Sequence, residues 1–173
     1  QASTTKVLTA LLTLENMDID DKITLPEDYV NVGETSIGLK AGARQTVEEL
    51  LMALMLYSAN DAGQALAIGV AGTEEAFVEM MIQRVSALGL QHTHFCNPHG
   101  LHNEDHYTSA YDLAMIARVA MDNPEFRRIV TTDSFTVRKL NGEDNFTVGN
   151  RNGLLSQYEY ADGIKTGYTR QAG

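Results

Sequence analysis

The chain has 173 residues, 43% hydrophobic and 21% charged, which is enough apolar sequence for a buried core and excludes a disordered chain. A formal charge of -10 with no basic run excludes a protein whose task is to hold nucleic acid, and the single cysteine, Cys96, excludes an internal disulfide framework. No apolar run reaches the roughly 18 residues that a membrane span needs.

The chain opens on Gln1-Ala2-Ser3-Thr4-Thr5-Lys6 and runs without a break into Val7-Leu8-Thr9-Ala10-Leu11-Leu12-Thr13-Leu14. Three residues apart at the first turn of a helix, the Ser3 hydroxyl and the Lys6 amine share a face, where the lysine can take the serine's proton. The following turns are apolar almost all round, which predicts a buried helix that frays near Glu15 to Asp18. Taken alone, the pair also fits a capping serine and a solvated charge.

Ile23-Thr24-Leu25 reads as a short extended run stopped by Pro26, and the glycine-rich stretch from Asn31 to Arg44 as loops with two short strands. Thr46-Val47-Glu48-Glu49 fits a capping box ahead of a second buried helix, Leu50 to Leu56. In Tyr57-Ser58-Ala59-Asn60-Asp61 the polar side chains favour a break, with Asp61 capping a new helix from Ala62 to Val70. Thr73 caps the next, Glu74 to Leu88, with Gly89 as its stop. Ser109 to Met121 is amphipathic, and Asn123-Pro124 ends it and starts a short successor. Phe135 to Val137 and Phe146 to Val148 alternate around Asn141-Gly142, the signal for a hairpin. Gly163-Ile164-Lys165-Thr166-Gly167-Tyr168-Thr169 reads as one strand whose glycine lets another backbone or a ligand come close.

Three signatures thus occur in the order Ser3-x-x-Lys6, Ser58-x-Asn60, Lys165-Thr166-Gly167, a set associated with penicillin-binding proteins and class A β-lactamases. The chain resembles the serine D-alanyl-D-alanine carboxypeptidases, the low-molecular-weight penicillin-binding proteins. The likeness extends through Ser58-Ala59-Asn60-Asp61-Ala62, Asn97-Pro98-His99-Gly100-Leu101, Tyr107-Thr108-Ser109-Ala110, Asn150-Arg151-Asn152 and Asp162 to Thr169. That resemblance implies an α+β, β-lactamase/transpeptidase-like fold. Ser3 would be the acylated nucleophile and Lys6 its base, with Ser58 and Asn60 carrying the proton relay and holding the substrate amide. Lys165, Thr166 and Gly167 would bind the terminal carboxylate, the N–H groups of Ser3 and Tyr168 would form the oxyanion hole, and Arg151 would support the carboxylate pocket or form a structural ion pair. The substrate would be a peptidoglycan pentapeptide ending in D-Ala-D-Ala, with β-lactam antibiotics as mimics, an extracytoplasmic location, and no cofactor or metal.

The chain lacks a starting methionine and opens inside its first motif, so it reads as a piece of a longer protein, with residues 1–173 an incomplete catalytic domain. By the resemblance, strands before the nucleophile and after the Lys-Thr-Gly strand make most of a five-stranded sheet, and neither set is in this sequence. The expectation is a mainly helical body with one hairpin, a Lys-Thr-Gly strand that is mobile or borrows a partner, self-association through the uncovered sheet-facing surface, and little carboxypeptidase activity. Two other readings compete. His92, His94, His99, His102 and His106 crowd one stretch that could suit a metal, though without His-Glu-x-x-His. A serine β-lactamase shares the three signatures, but the class A Glu-x-x-x-Asn does not occur between Asn60 and Lys165.

Overall fold

The computed structural model describes residues 1–138 and 145–172. A 3-10 turn, Ala2–Thr5, leads into helix α1, Lys6–Asn16, and every residue from Thr5 to Thr13 is buried. The all-round apolar pattern is the reason: α1 is the central post, packed against the helices α3, Asn60–Ala71; α4, Glu74–Ala87; α5, Ala110–Asp122; and α6, Pro124–Thr131. Its buried threonines are paired, with Thr9 Oγ1 donating to Pro98 O at 2.6 Å and Thr13 Oγ1 to Thr9 O at 2.9 Å.

Two small antiparallel sheets flank these helices. Strand β1, Lys22–Thr24, pairs with β2, Arg44–Thr46, in the register Ile23 opposite Gln45. Strand β3, Ser134–Val137, pairs with β4, Phe146–Gly149, with Val137 opposite Phe146, as the alternation predicts. The expected Asn141-Gly142 turn lies outside the described residues. The capping box forms: Thr46 Oγ1 accepts from Glu49 N, and Glu49 Oε2 from Thr46 N, at the start of α2, Val47–Met52. Thr73 and Asn123 cap α4 and α6 as their sequences predict, Ser109, read as the first residue of its helix, is the cap of α5, and Gly89 takes the left-handed conformation just beyond α4.

Three expectations are corrected and one element is new. Residues 31–43 form no strand; the order there comes from Asp61, whose carboxylate accepts from Asn31 Nδ2, Ser36 Oγ and the Ile37 and Leu39 amides at 2.6 to 3.1 Å. Asp61 is therefore not the cap of α3, which begins one residue earlier at Asn60. A short helix unmarked in the sequence, α7, Leu154–Gln157, follows β4. Lastly, Gly163 to Thr169 joins no ladder: among the described residues no strand lies beside it, and none of the backbone N–H groups from Asp162 to Tyr168 finds a backbone partner. The segment is held by packing instead. Ile164 reaches the core, and an apolar groove beside it is lined by Val7 of α1 and by Leu113, Ala114 and Ala117 of α5. Among the described residues, no helix is long and apolar enough to cross a membrane.

Candidate active site

The 3-10 turn sets Ser3 just ahead of α1, and Lys6 Nζ lies 3.0 Å from Ser3 Oγ. Lys6 is wholly buried. Its amine also donates to Asn60 Oδ1 at 2.8 Å and to the backbone carbonyl of His99. A neutral amine has two N–H donors and one lone pair. Asn60 and His99 take the two donors, which leaves the lone pair for the Ser3 hydroxyl. Burial, and next the nearby Lys165 charge, hold the Lys6 pKa well below its ordinary value, against a smaller opposing pull from Glu34. A hydroxyl beside a neutral, desolvated amine has the chemistry that nucleophilic attack with base assistance requires.

Gly100 fixes the height of this turn. It adopts a φ of +84°, and a Cβ there would stand 2.0 Å from Ala2 O. Only glycine lets the Asn97 to Leu101 loop close against Ala2, the residue before Ser3, and the same loop delivers the His99 carbonyl to Lys6. Thr5 Oγ1 adds a further tie, 2.7 Å from His106 Nε2, while His106 Nδ1 accepts from the Cys96 amide. That pattern puts the ring proton on Nε2.

Helix α2 continues as a π-helical turn, Ala53–Tyr57, which ends where the Ser58 N–H bonds Ala53 O. Ser58 has a left-handed φ of 69° and is nearly buried. The break expected from the Ser-x-Asn sequence is real, but it is a widened turn followed by an immediate restart rather than an extended loop, so Asn60 points to Lys6 from the first turn of α3. Ser58 lines a cavity of about 340 Å3 together with Ser3, Thr35, Arg151, Thr166, Gly167 and Tyr168. Among the described residues no hydrogen bond joins the Ser58 hydroxyl to Ser3, Lys6 or Lys165.

Gly167 faces the Ser3 turn directly. A Cβ added to it would lie 3.2 Å from Ser3 N and 3.1 Å from Thr4 N, so the Lys-Thr-Gly segment rests over the backbone N–H groups of the Ser3 turn even without ladder partners. The neighbouring side chains are less committed. Lys165 Nζ donates to Thr166 O at 2.8 Å, and the Tyr168 ring is 73% exposed. Burial, then the Arg151 charge, lower the Lys165 pKa to about 8. Arg151 is placed by its amide, which bonds Leu56 O, and by Asn150, whose Nδ2 donates to Val130 O and Thr132 O. Its guanidinium lies 4.1 Å from the centroid of the Tyr57 ring, and Tyr57 packs edge-on to Phe146.

Three contributors were not visible as site residues in the sequence: the His99 carbonyl, Thr35, whose carbonyl accepts from Asn60 N at 2.7 Å, and Asp61, which ties down the loop that carries Thr35. The first two act through backbone, which leaves no residue-type signal. His94 Nδ1 lies 2.8 Å from Asp105 O and His106 is tied to Thr5, both in structural bonds. Among the described residues no group of three or more His, Cys, Asp and Glu side chains is placed to hold a metal ion.

The arrangement has counterparts. The family model described as D-alanyl-D-alanine carboxypeptidase matches residues 1–173. D-alanyl-D-alanine carboxypeptidase DacF of Bacillus subtilis is 38% identical over 99% of this chain and 45% of its own length, and DacD of Salmonella typhimurium is 39% identical over 99% and 46%. The chain thus spans about half the length of these curated relatives. Among solved structures, the Streptomyces K15 DD-transpeptidase superposes with a TM-score of 0.87 at 35% identity, over 98% of this chain and 71% of that one. A D-alanyl-D-alanine carboxypeptidase from Mycobacterium tuberculosis gives 0.89 at 34% identity, over 98% and 64%. With the whole of its length matched and the fold shared, the chain belongs to the D-alanyl-D-alanine carboxypeptidase family.

Proposed function

We propose that Ser3 is the acylated nucleophile of a serine-type D-Ala-D-Ala carboxypeptidase acting on peptidoglycan stem peptides, and that β-lactams acylate it as substrate mimics. In this reading Ser3 Oγ attacks the carbonyl carbon of the penultimate D-alanine while its proton passes to the Lys6 lone pair. The bond to the terminal D-alanine nitrogen then breaks, and the proton returns to that leaving amine through Ser58. Water, attacking the ester, releases the shortened peptide and frees Ser3. Asn60 orients Lys6 and holds the substrate amide. Lys165, Thr166 and Arg151 bind the terminal carboxylate, and Gly167 gives it close approach. The N–H groups of Ser3 and Tyr168 receive the developing oxyanion. A peptidoglycan substrate sets the site of action outside the cytoplasm.

The observation that carries this reading is the 3.0 Å separation of Ser3 Oγ from the wholly buried amine of Lys6, whose charged form burial disfavours. Intact-mass spectrometry and peptide mapping after exposure of the full-length protein to benzylpenicillin test it. One penicilloyl adduct on Ser3, absent from Ser3→Ala, is expected. An adduct on another residue, or peptidase activity retained by Ser3→Ala, would overturn the assignment.

A further inference from the structure

Asn60 is held at both ends. Its Oδ1 accepts from Lys6 Nζ at 2.8 Å, while its Nδ2 lies 3.4 Å from Gly33 O and its backbone N–H donates to Thr35 O at 2.7 Å. The two carbonyls flank Glu34 in a loop that also supplies Thr35 to the wall of the Ser3 cavity. This arrangement decides which way the amide faces. Turned over about its last bond, Asn60 would bring Nδ2 beside Lys6 and donate into the lone pair that faces the Ser3 hydroxyl, and Oδ1 would meet Gly33 O, acceptor against acceptor. Gly33 O therefore disfavours the orientation that would silence the amine.

The loop does not hold this shape by itself. Gly33 and Glu34 are successive left-handed residues, with φ of +77° and +56°, and a residue other than glycine stays there only where its surroundings impose it. Residues 31–43 form no strand that would do so. The constraint comes from the wholly buried carboxylate of Asp61. Its Oδ2 accepts from Asn31 Nδ2 at 3.1 Å, Ser36 Oγ at 2.6 Å and Leu39 N at 2.9 Å, and its Oδ1 from Ile37 N at 3.1 Å and Ala62 N at 3.0 Å. Asn31 and Ser36 pass the constraint on, since Asn31 Oδ1 accepts from Gly33 N at 2.8 Å and Ser36 Oγ from Gly38 N at 2.9 Å. These donors lie on both sides of Gly33 to Thr35, so the carboxylate clamps the turn from either end.

We propose that Asp61 is a positioning residue for the base: through the 31–39 loop it sets the Asn60 amide so that the Lys6 lone pair stays free for Ser3. The inference rests on the assignment of Lys6 as that base. Asp61 itself has no hydrogen bond to Ser3 or Lys6 among the described residues, so it acts only through the loop and Asn60. An acceptor is needed on both of its oxygens. The amide of Asp61→Asn would turn a donor toward either the Ile37 and Ala62 N–H groups or the Asn31, Ser36 and Leu39 donors.

Single-turnover acylation of the full-length protein by a chromogenic β-lactam, in a double-mutant cycle with Asn60→Ala, tests the role. Asp61→Asn is expected to slow acylation about tenfold or more, and Ser36→Ala, which removes one hydroxyl from the loop and spares the core, several-fold. In Asn60→Ala no amide is left to set, so each change should then cost less than about twofold. If Asp61→Asn does not fold, the Ser36→Ala arm decides alone. A wild-type rate in the folded variants would overturn the proposal. So would a penalty of equal size with and without the Asn60 amide, which is what a residue that merely supports the fold would give. Exchange of the Asn60 N–H, bonded to Thr35 O, reads the clamp without the chemistry and should quicken about tenfold in the same variants. A wild type without an adduct on Ser3 would instead overturn the acylation reading, and exchange at Asn60 would then decide whether Asp61 sets the amide.

Discussion

Asn60 Oδ1 accepts a hydrogen bond from Lys6 Nζ over 2.8 Å, across 54 residues of sequence and with no solvent at the lysine. A neutral amide in that position orients the amine without stabilising its charged form. Asn60→Asp keeps the shape and adds a negative charge beside the amine, which favours protonated Lys6 and raises its pKa. The alkaline shift should cut acylation at neutral pH by about tenfold for each unit of the rise, with recovery at high pH. Stopped-flow acylation by a chromogenic β-lactam across pH checks this. A profile superimposable on that of the wild type would refute it.

The wild-type profile follows from the same group. Because burial, and then Lys165, depress the Lys6 pKa, the neutral amine is available well below the ordinary lysine range and is lost as pH falls through the depressed value. Lys165→Gln removes one lowering influence. The acid limb should therefore move to higher pH, on top of any loss in carboxylate binding. Separating kcat from KM at each pH distinguishes the two effects, and an acid limb left in place would count against charge coupling between the lysines.

Two buried histidines predict how stability depends on pH. Burial pushes the His106 pKa from about 6.5 to about 4 and that of His99 to about 3. Between the ordinary and lowered values the unfolded chain binds these protons and the folded chain does not. Stability is therefore fully present above about pH 6.5 and falls as the solution is acidified toward pH 4, with a slope near 1.4 kcal/mol per pH unit for each ring. Chemical denaturation at several pH values reads the slope, which should drop by about half in His106→Gln.

At Gly167 the prediction is geometric. An alanine methyl there would crowd Ser3 N and Thr4 N at 3.2 and 3.1 Å, lifting the segment from the nucleophile turn. Since no ladder bond is lost, stability should change by less than about 0.5 kcal/mol, while acylation falls on the order of 10²-fold if an oxyanion donor is displaced. Thermal melts beside acylation rates test both halves, and an acylation rate equal to that of the wild type would show that this approach does not matter.

Hydrogen exchange addresses the missing ladder. The amides of Ile164 to Tyr168 have no backbone partner among the described residues, whereas those of α1 lie in the core. Exchange of the former should outpace that of α1 by at least about 10³-fold. Comparable protection would refute the absence of hydrogen-bond partners for these amides.

Much of this was legible in the sequence, for reasons that differ by element. The apolar run after Lys6 could only be a buried post, and Thr46, Thr73, Ser109 and Asn123 announce helix starts because a short side chain with an acceptor oxygen can meet a free N–H. The three signatures, once set in order, pointed to the family, and the Ser3 to Lys6 spacing to their pairing; the bond from Lys6 to Asn60 Oδ1 emerges only in the fold. The start of α3 was misjudged because Asp61 has two uses for its oxygens, capping or tying a loop, and local sequence does not choose between them. Gly163 to Thr169 carries the alternation and glycine of a strand, but a strand exists only with a neighbour, and pairing is not a property of the segment alone. The carbonyls of His99 and Thr35 could not be foreseen, since every residue has one.

The π-helical turn from Ala53 to Tyr57 has a corollary for chain length. A π turn is an α-helix with one residue too many, and the surplus here is taken up just before Ser58 by the bond from its N–H to Ala53 O. Removing one residue from this stretch would let the helix run on in regular register. The chain would rotate by about 100° per residue at that point, carrying the Ser58 hydroxyl out of the cavity it shares with Ser3. The placement of the Ser58 hydroxyl thus depends on a residue count that no substitution scan would detect, and a single-residue deletion would leave a well-ordered protein with its second motif facing the wrong way.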